Sequence, residues 1–153
     1  FDRKQTEVWH RRGGRALWYA GPHPGAKDPD KSRRVHGMLG YQAHFDGTKN
    51  NTWGDSWLDF YSPYGYHIRM IYPTRDGVID TLQWEGFREG IDDVRYATSL
   101  RRAAAAAMAD GDAARAAAAR QALAWLDAVD AGSADLDALR LEMVNWILRM
   151  IAD

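Results

Sequence analysis

Short apolar runs alternate with segments of helical periodicity over the first hundred residues of the chain. The predicted elements are a strand at 16–20, a helix at 33–45, strands at 48–53 and 67–72, and a helix that starts at 80 or 81. Asp76-Gly77 supplies a turn before the last of these helices. This order is typical of the strand–loop–helix units of an α/β protein.

The composition changes after residue 102, where alanine becomes frequent. Alanine runs at 103–107 and 116–119 predict helices, because alanine has the highest helix propensity, and Gly111 predicts the break between them. Ser133 is predicted to begin a last helix. We therefore expect residues 103–153 to form a helical hairpin extension that packs on a domain formed by residues 1–102.

Composition and charge exclude several classes of protein. The chain has 153 residues, which suffice for a sizeable core, and a net charge of −1. It has no cysteine, so neither disulfides nor thiolate metal sites are expected. No apolar stretch approaches the roughly 20 residues needed to span a bilayer, and no nucleic-acid-binding signature is present. We expect no membrane association, no nucleic-acid partner, no metal site and no cofactor.

Aromatic and polar residues cluster where the second predicted strand ends. The candidates for ligand binding there are Asn50, Trp53, Asp55 and Trp57. An indole matches the flat apolar face of a sugar, and amide and carboxylate groups match its hydroxyls. The same pattern also fits a polar turn with Trp53 in the core, so both interpretations stay open.

The segment from residue 72 to residue 96 carries a resemblance to a known family. Its Tyr-Pro, Gly-containing turn and following helix resemble the end of the catalytic barrel in family 123 glycoside hydrolases and the related domains of unknown function 4091. The matching positions are Tyr72, Pro73, Gly77, Glu85, Phe87, Arg88, Glu89, Gly90, Ile91, Asp93 and Tyr96. The resemblance implies that residues 1–102 are the carboxyl-terminal strands and helices of a (β/α)8 barrel, followed by the alanine-rich hairpin.

A barrel of this kind would place two further aromatic residues at a sugar site. Active sites of such barrels lie at the carboxyl ends of the strands. Tyr72 ends the third predicted strand and Trp18 lies in the first, so both are expected to face the same cleft as Trp53. For Tyr72, packing beneath Pro73 is an equally good interpretation.

The resemblance also implies where hydrolysis would occur. Family 123 enzymes are thought to use an adjacent Asp-Glu pair, and this chain contains no such dipeptide. We therefore expect no catalytic residue here, and a chain that is inactive alone. It would be a segment of a glycoside hydrolase, and the resemblance implies N-acetylhexosamine glycosides as its substrate class. The localisation stays open, with a secreted or periplasmic parent as one option.

The expected partners are a carbohydrate and either the missing amino-terminal part of the same protein or another chain. The chain begins at Phe1, which suggests a fragment or a processed protein. The alternative is a non-enzymatic module that binds carbohydrate or protein.

Overall fold

The computed structural model describes residues 1–19, 28–49 and 70–151. The chain forms two compact units, an amino-terminal unit of Phe1–Ile91 and a carboxyl-terminal unit of Asp92–Asp153. The elements are α1 Arg3–Arg11, β1 Leu17–Tyr19, α2 Pro29–His36, α3 Met38–Gln42, β2 Gly47–Lys49, β3 Ile71–Pro73, β4 Val78–Asp80, α4 Leu82–Ala109, α5 Ala113–Ala128 and α6 Leu136–Ile151. Over the described residues the fold is mixed α/β but mostly helical, with 67% of them in helices and with short strands.

The described strands form two separate pairs. β1 and β2 are parallel, with Trp18 opposite Thr48, whereas β3 and β4 are antiparallel, with Tyr72 opposite Ile79. A turn closed by the bond from the Thr74 amide to the Gly77 carbonyl joins β3 to β4, and it is too short for the crossover that parallel strands need. The α/β class is thus confirmed at the coarse level, but the described residues do not show a (β/α)8 barrel.

The helix predicted at 33–45 is two helices. α2 begins earlier than predicted, because Asp28 accepts a hydrogen bond from the Lys31 amide and caps the helix. Gly37 then leaves helical geometry, with φ −108° and ψ −117°, and separates α2 from α3. The prediction of one continuous helix was therefore wrong at Gly37.

α1 is not among the predicted elements. Asp2 caps it by accepting from the Lys4 amide at 2.9 Å, and Thr6 is its one buried residue. The apolar residues of α1 are Val8 and Trp9, which are adjacent, so the helix has no apolar repeat at i, i+3 and i+4 from which it could be predicted.

α4 packs against α2 in the amino-terminal unit at backbone distance. The Ser32 hydroxyl, fully buried, donates to the Gln83 carbonyl at 3.0 Å. Gly86 lies against Pro29, and Gly90 lies against Arg33. Gly86 and Gly90 lie four residues apart on one face of α4. Because neither has a side chain, α2 can approach this face closely.

The carboxyl-terminal unit contains the end of α4 together with α5 and α6. α5 and α6 pack against each other, as the predicted helical hairpin requires. Gly111, with φ +87°, separates α4 from α5 at the predicted break. Asp135 rather than Ser133 caps α6, because it accepts from the amides of residues 137 and 138, while the Ser133 hydroxyl donates to Asp130.

The predicted boundary after residue 102 differs from the boundary between the two compact units, which falls between Ile91 and Asp92. α4 runs through both positions without interruption. No helix in the described part of the chain combines the length and apolar character that a bilayer span requires.

Candidate functional site

The structure describes two of the six residues predicted to bind a ligand. Trp18 lies in β1 and Tyr72 in β3, so the two belong to different sheets. The remaining four, Asn50, Trp53, Asp55 and Trp57, lie outside the described residues. The predicted meeting of Trp53 and Tyr72 in one cleft stays a prediction.

Trp18 belongs to a packed aromatic cluster. Its ring centroid is 5.0 Å from that of Phe1 and 4.9 Å from that of His36, which meets the indole edge to face. His36 is buried, contacts Phe87 at 4.8 Å, and bonds through Nδ1 to the Thr48 hydroxyl at 2.7 Å. Trp18 is half-buried among these groups, so packing accounts for much of its surface.

A different tryptophan presents its ring to solvent. Trp9 on α1 is 58% exposed, and with Gln5, Val8 and Arg12 it lines a shallow groove of about 250 Å³. Gln5, Val8 and Trp9 are spaced i, i+3 and i+4 on one face of the helix, and Arg12 follows as its C-cap residue. The groove thus combines an indole, an aliphatic side chain, an amide and a guanidinium.

The backbone turn that follows α1 is hydrogen-bonded to Trp9 and lies next to this groove. The Trp9 carbonyl accepts hydrogen bonds from the amides of Arg12 and Gly14, both at 3.0 Å. Gly13 has φ +72°, a left-handed conformation that glycine adopts without strain. A Cβ on Gly14 would lie 3.5 Å from Cε3 of Trp9, so the Gly13-Gly14 turn lies directly against the edge of the indole.

Contacts on another side of α1 anchor the helix to the amino-terminal unit. The buried Thr6 hydroxyl donates to the Ala43 carbonyl at 2.7 Å. His10 Nε2 lies 2.9 Å from Asp46 Oδ2, which also accepts from the Ala16 amide at 2.7 Å. Thr6 and His10 therefore hold α1 against the amino-terminal unit, and Trp9 stays in a fixed position facing solvent.

The carboxylate of Asp46 makes this anchor sensitive to acid. The backbone hydrogen bond from Ala16, followed by the bond to His10, lowers the pKa of Asp46 below its ordinary value of 3.8. A group with a depressed folded pKa stabilises the fold above its unfolded pKa, and this contribution is lost as the pH falls through the folded pKa. The anchor should therefore contribute fully above 3.8 and weaken below it.

Asp46→Asn removes the charge of this side chain at every pH, as protonation of the carboxylate does in acid. We expect the variant to be less stable than the natural chain near neutral pH, and the difference in free energy of unfolding to shrink as the pH falls below 3.8. Urea unfolding of both proteins over a series of pH values measures this difference. If the difference in free energy of unfolding between the two proteins stays constant into strong acid, the charge of Asp46 does not stabilise the fold.

A second concavity lies in the carboxyl-terminal unit, with a volume of about 370 Å³. Its lining is Asp92, Arg95, Tyr96, Ser99 and Arg140. Both arginines already form ion pairs, Arg95 with Asp92 at 2.8 Å and Arg140 with Asp93 at 2.7 Å. A ligand would have to compete with these pairs, so the groove on α1 is the better candidate.

The described residues contain no group of three or more side chains able to hold a metal ion. The groove on α1 combines instead the stacking surface and hydrogen-bonding groups of a binding site. Its signal in the sequence was the Gln5, Trp9 and Arg12 spacing, which requires knowing that residues 3–11 are helical.

Comparison of the chain with models of known protein families, with functionally characterised proteins and with solved structures gives no match.

Proposed function

We propose that this chain is a carbohydrate-binding module whose ligand stacks on the indole of Trp9. The observation that carries the proposal is a tryptophan that is 58% exposed yet supported by an ordered turn. An exposed apolar patch with polar groups at its rim is characteristic of a binding site, and Trp9 forms such a patch together with the exposed Val8. Gln5 and Arg12 supply those groups here.

The chemistry of the groove suits a sugar. One face of a pyranose ring presents C–H groups, which an aromatic ring contacts favourably, while its edge presents hydroxyls. The amide of Gln5 can both donate and accept, and the guanidinium of Arg12 donates in a planar fork. An indole with such groups one helical turn away on either side can bind the face and the edge of one ring.

Binding without hydrolysis is the proposed activity of the chain. The resemblance to family 123 glycoside hydrolases supports the view that the module belongs to a larger enzyme, whose barrel and Asp-Glu pair would lie outside this chain. Within such an enzyme, the groove on α1 would hold part of the substrate. We expect the chain alone to leave aryl-glycosides uncleaved.

Trp9→Ala tests the proposal with a large predicted effect on binding and a small one on stability. Titration calorimetry with cellohexaose, chitohexaose and a galacturonate hexamer should show affinity for at least one sugar. The variant should bind it about fivefold more weakly or worse, which corresponds to about 1 kcal/mol for a lost aromatic contact. Thermal unfolding should change little, because an exposed side chain contributes little to the core.

Tyr19→Ala is the matched control. Tyr19 is 56% exposed in the same unit, does not line the groove, and contacts Lys49 through its ring. Its replacement should leave sugar affinity unchanged. Equal losses in both variants, or no binding of any sugar to the natural chain, would reject the proposed function. The alternative, a module that binds protein, predicts that no sugar binds to the natural chain.

A further inference from the structure

We infer that the groove on α1 selects an acidic sugar and that Arg12 binds its carboxylate. This inference rests on the proposed carbohydrate binding and adds the class of ligand to it. The arginine is exposed, lines the groove, and follows Trp9 by three residues at the C-cap of α1.

The guanidinium of Arg12 makes no hydrogen bond or ion pair with the described residues. Helix ends are often capped by basic side chains that donate to the last carbonyls, but backbone amides perform this role in α1. The amides of Arg12 and Gly14 donate to the Trp9 carbonyl, and the amide of Gly13 donates to the His10 carbonyl. No carboxylate among the described residues lies within ion-pair distance of the Arg12 side chain.

The acidic side chains on and near α1 are engaged elsewhere. Glu7 pairs with Arg3 at 2.9 Å, and Asp2 accepts from the Lys4 amide at the start of the helix. Asp46 binds His10 and the Ala16 amide. None of the described residues that line the groove is acidic, so the positive charge of Arg12 is not compensated within that lining.

A carboxylate is the anion that this arrangement suits. A guanidinium binds a carboxylate through two parallel hydrogen bonds, which are stronger than bonds between neutral groups. Uronic acids carry a carboxylate on the same ring whose face can stack on an indole. Trp9 and Arg12 can therefore contact a single uronic acid residue.

A nucleic acid is a weaker fit. Its backbone presents a series of phosphates, and binding to it draws on several cations arranged along the contact. Among the described residues that line the groove there is one cation, Arg12, and one aromatic ring. One ring and one charge correspond to one acidic sugar residue.

The test compares oligomers that differ only in charge. Galacturonate, mannuronate and glucuronate tetramers are titrated into the full 153-residue chain beside their methyl esters, which keep the sugar and remove the carboxylate charge. At least one acidic tetramer should bind about tenfold or more tightly than its ester, because a charge-assisted bond is worth more than a neutral one. The preference should shrink as salt concentration rises.

Arg12→Gln should remove this preference, because the affinity for the acidic tetramer should fall to that for its ester. Arg11→Gln is the control, since Arg11 is also exposed but does not line the groove. An acidic tetramer that binds Arg12→Gln as tightly as the natural chain would overturn the inference. So would tighter binding of a thymidine oligonucleotide than of every uronate.

Failure of this inference is distinguishable from failure of the proposed function. If esters and acids bind equally and Trp9→Ala weakens both, the sugar site stands and the role of Arg12 is rejected. If no sugar of either kind binds, the proposed function fails, and the inference fails with it.

Discussion

Arg140→Met is expected to lower the free energy of unfolding of the carboxyl-terminal unit by about 3–5 kcal/mol. Arg140 on α6 donates through Nε and Nη2 to Oδ1 of Asp93 on α4, both at 2.7 Å. Asp93 is fully buried, with 0% exposure. Removing the guanidinium takes a cation away from a carboxylate that is buried from water, which is costlier than losing an exposed pair. Urea unfolding near neutral pH measures the loss.

Two further variants identify the cause of this effect. Asp127→Asn disrupts the exposed pair with Arg101, which joins α5 to α4 in the same unit, and should cost less than about 1 kcal/mol. The double variant Asp93→Leu with Arg140→Met removes both charges and should recover most of the stability lost by Arg140→Met. If the double variant is no better than the single one, lost packing rather than an unpaired charge explains the effect.

Gly90→Ala is expected to destabilise the amino-terminal unit by about 1–3 kcal/mol or more, although alanine favours helix. A Cβ at this position would lie 2.5 Å from the Arg33 carbonyl oxygen and 3.1 Å from the Gly37 amide nitrogen. Both are backbone atoms, so no side chain can rotate away, and α2 and α4 must separate. The separation would also strain the bond between Ser32 and the Gln83 carbonyl.

Gly40→Ala is the matched control for the glycine contact. Gly40 is helical, but a Cβ there would lie 3.5 Å from the Val35 carbonyl oxygen, an ordinary contact distance. Its replacement should be neutral or stabilising, by up to about 1 kcal/mol from helix propensity. If Gly90→Ala also raised the thermal midpoint, α2 and α4 would not be in close backbone contact at this position.

The glycines of α4 illustrate how far the sequence alone could predict this fold. A helix after residue 80 was predicted from its apolar periodicity, and α4 confirms it. Gly90 was one of the positions that carried the resemblance to a barrel enzyme, but in the structure Gly86 and Gly90 form a contact surface for α2. Local patterns report the type of element, whereas the partner of that element depends on residues distant in the chain.

The residues of the candidate site show the same contrast between what local sequence patterns predict and what depends on distant contacts. Trp18 and Tyr72 were expected at one barrel mouth, because parallel strands in one sheet share an edge. The turn between β3 and β4 instead closes an antiparallel pair that is separate from β1 and β2. Trp9 attracted no prediction, because α1 is polar and an exposed indole cannot be told from a buried one by its neighbours in sequence.

The sequence by itself determined the mixed α/β class, the alanine-rich helices and the break at Gly111, since helix propensity and glycine geometry act within a few residues. Only the tertiary structure decided which strands pair, where Arg140 finds Asp93, and which tryptophan faces solvent. Those outcomes depend on contacts between segments far apart in the chain. Their free energy comes from burial and charge pairing that exist only once the segments have met.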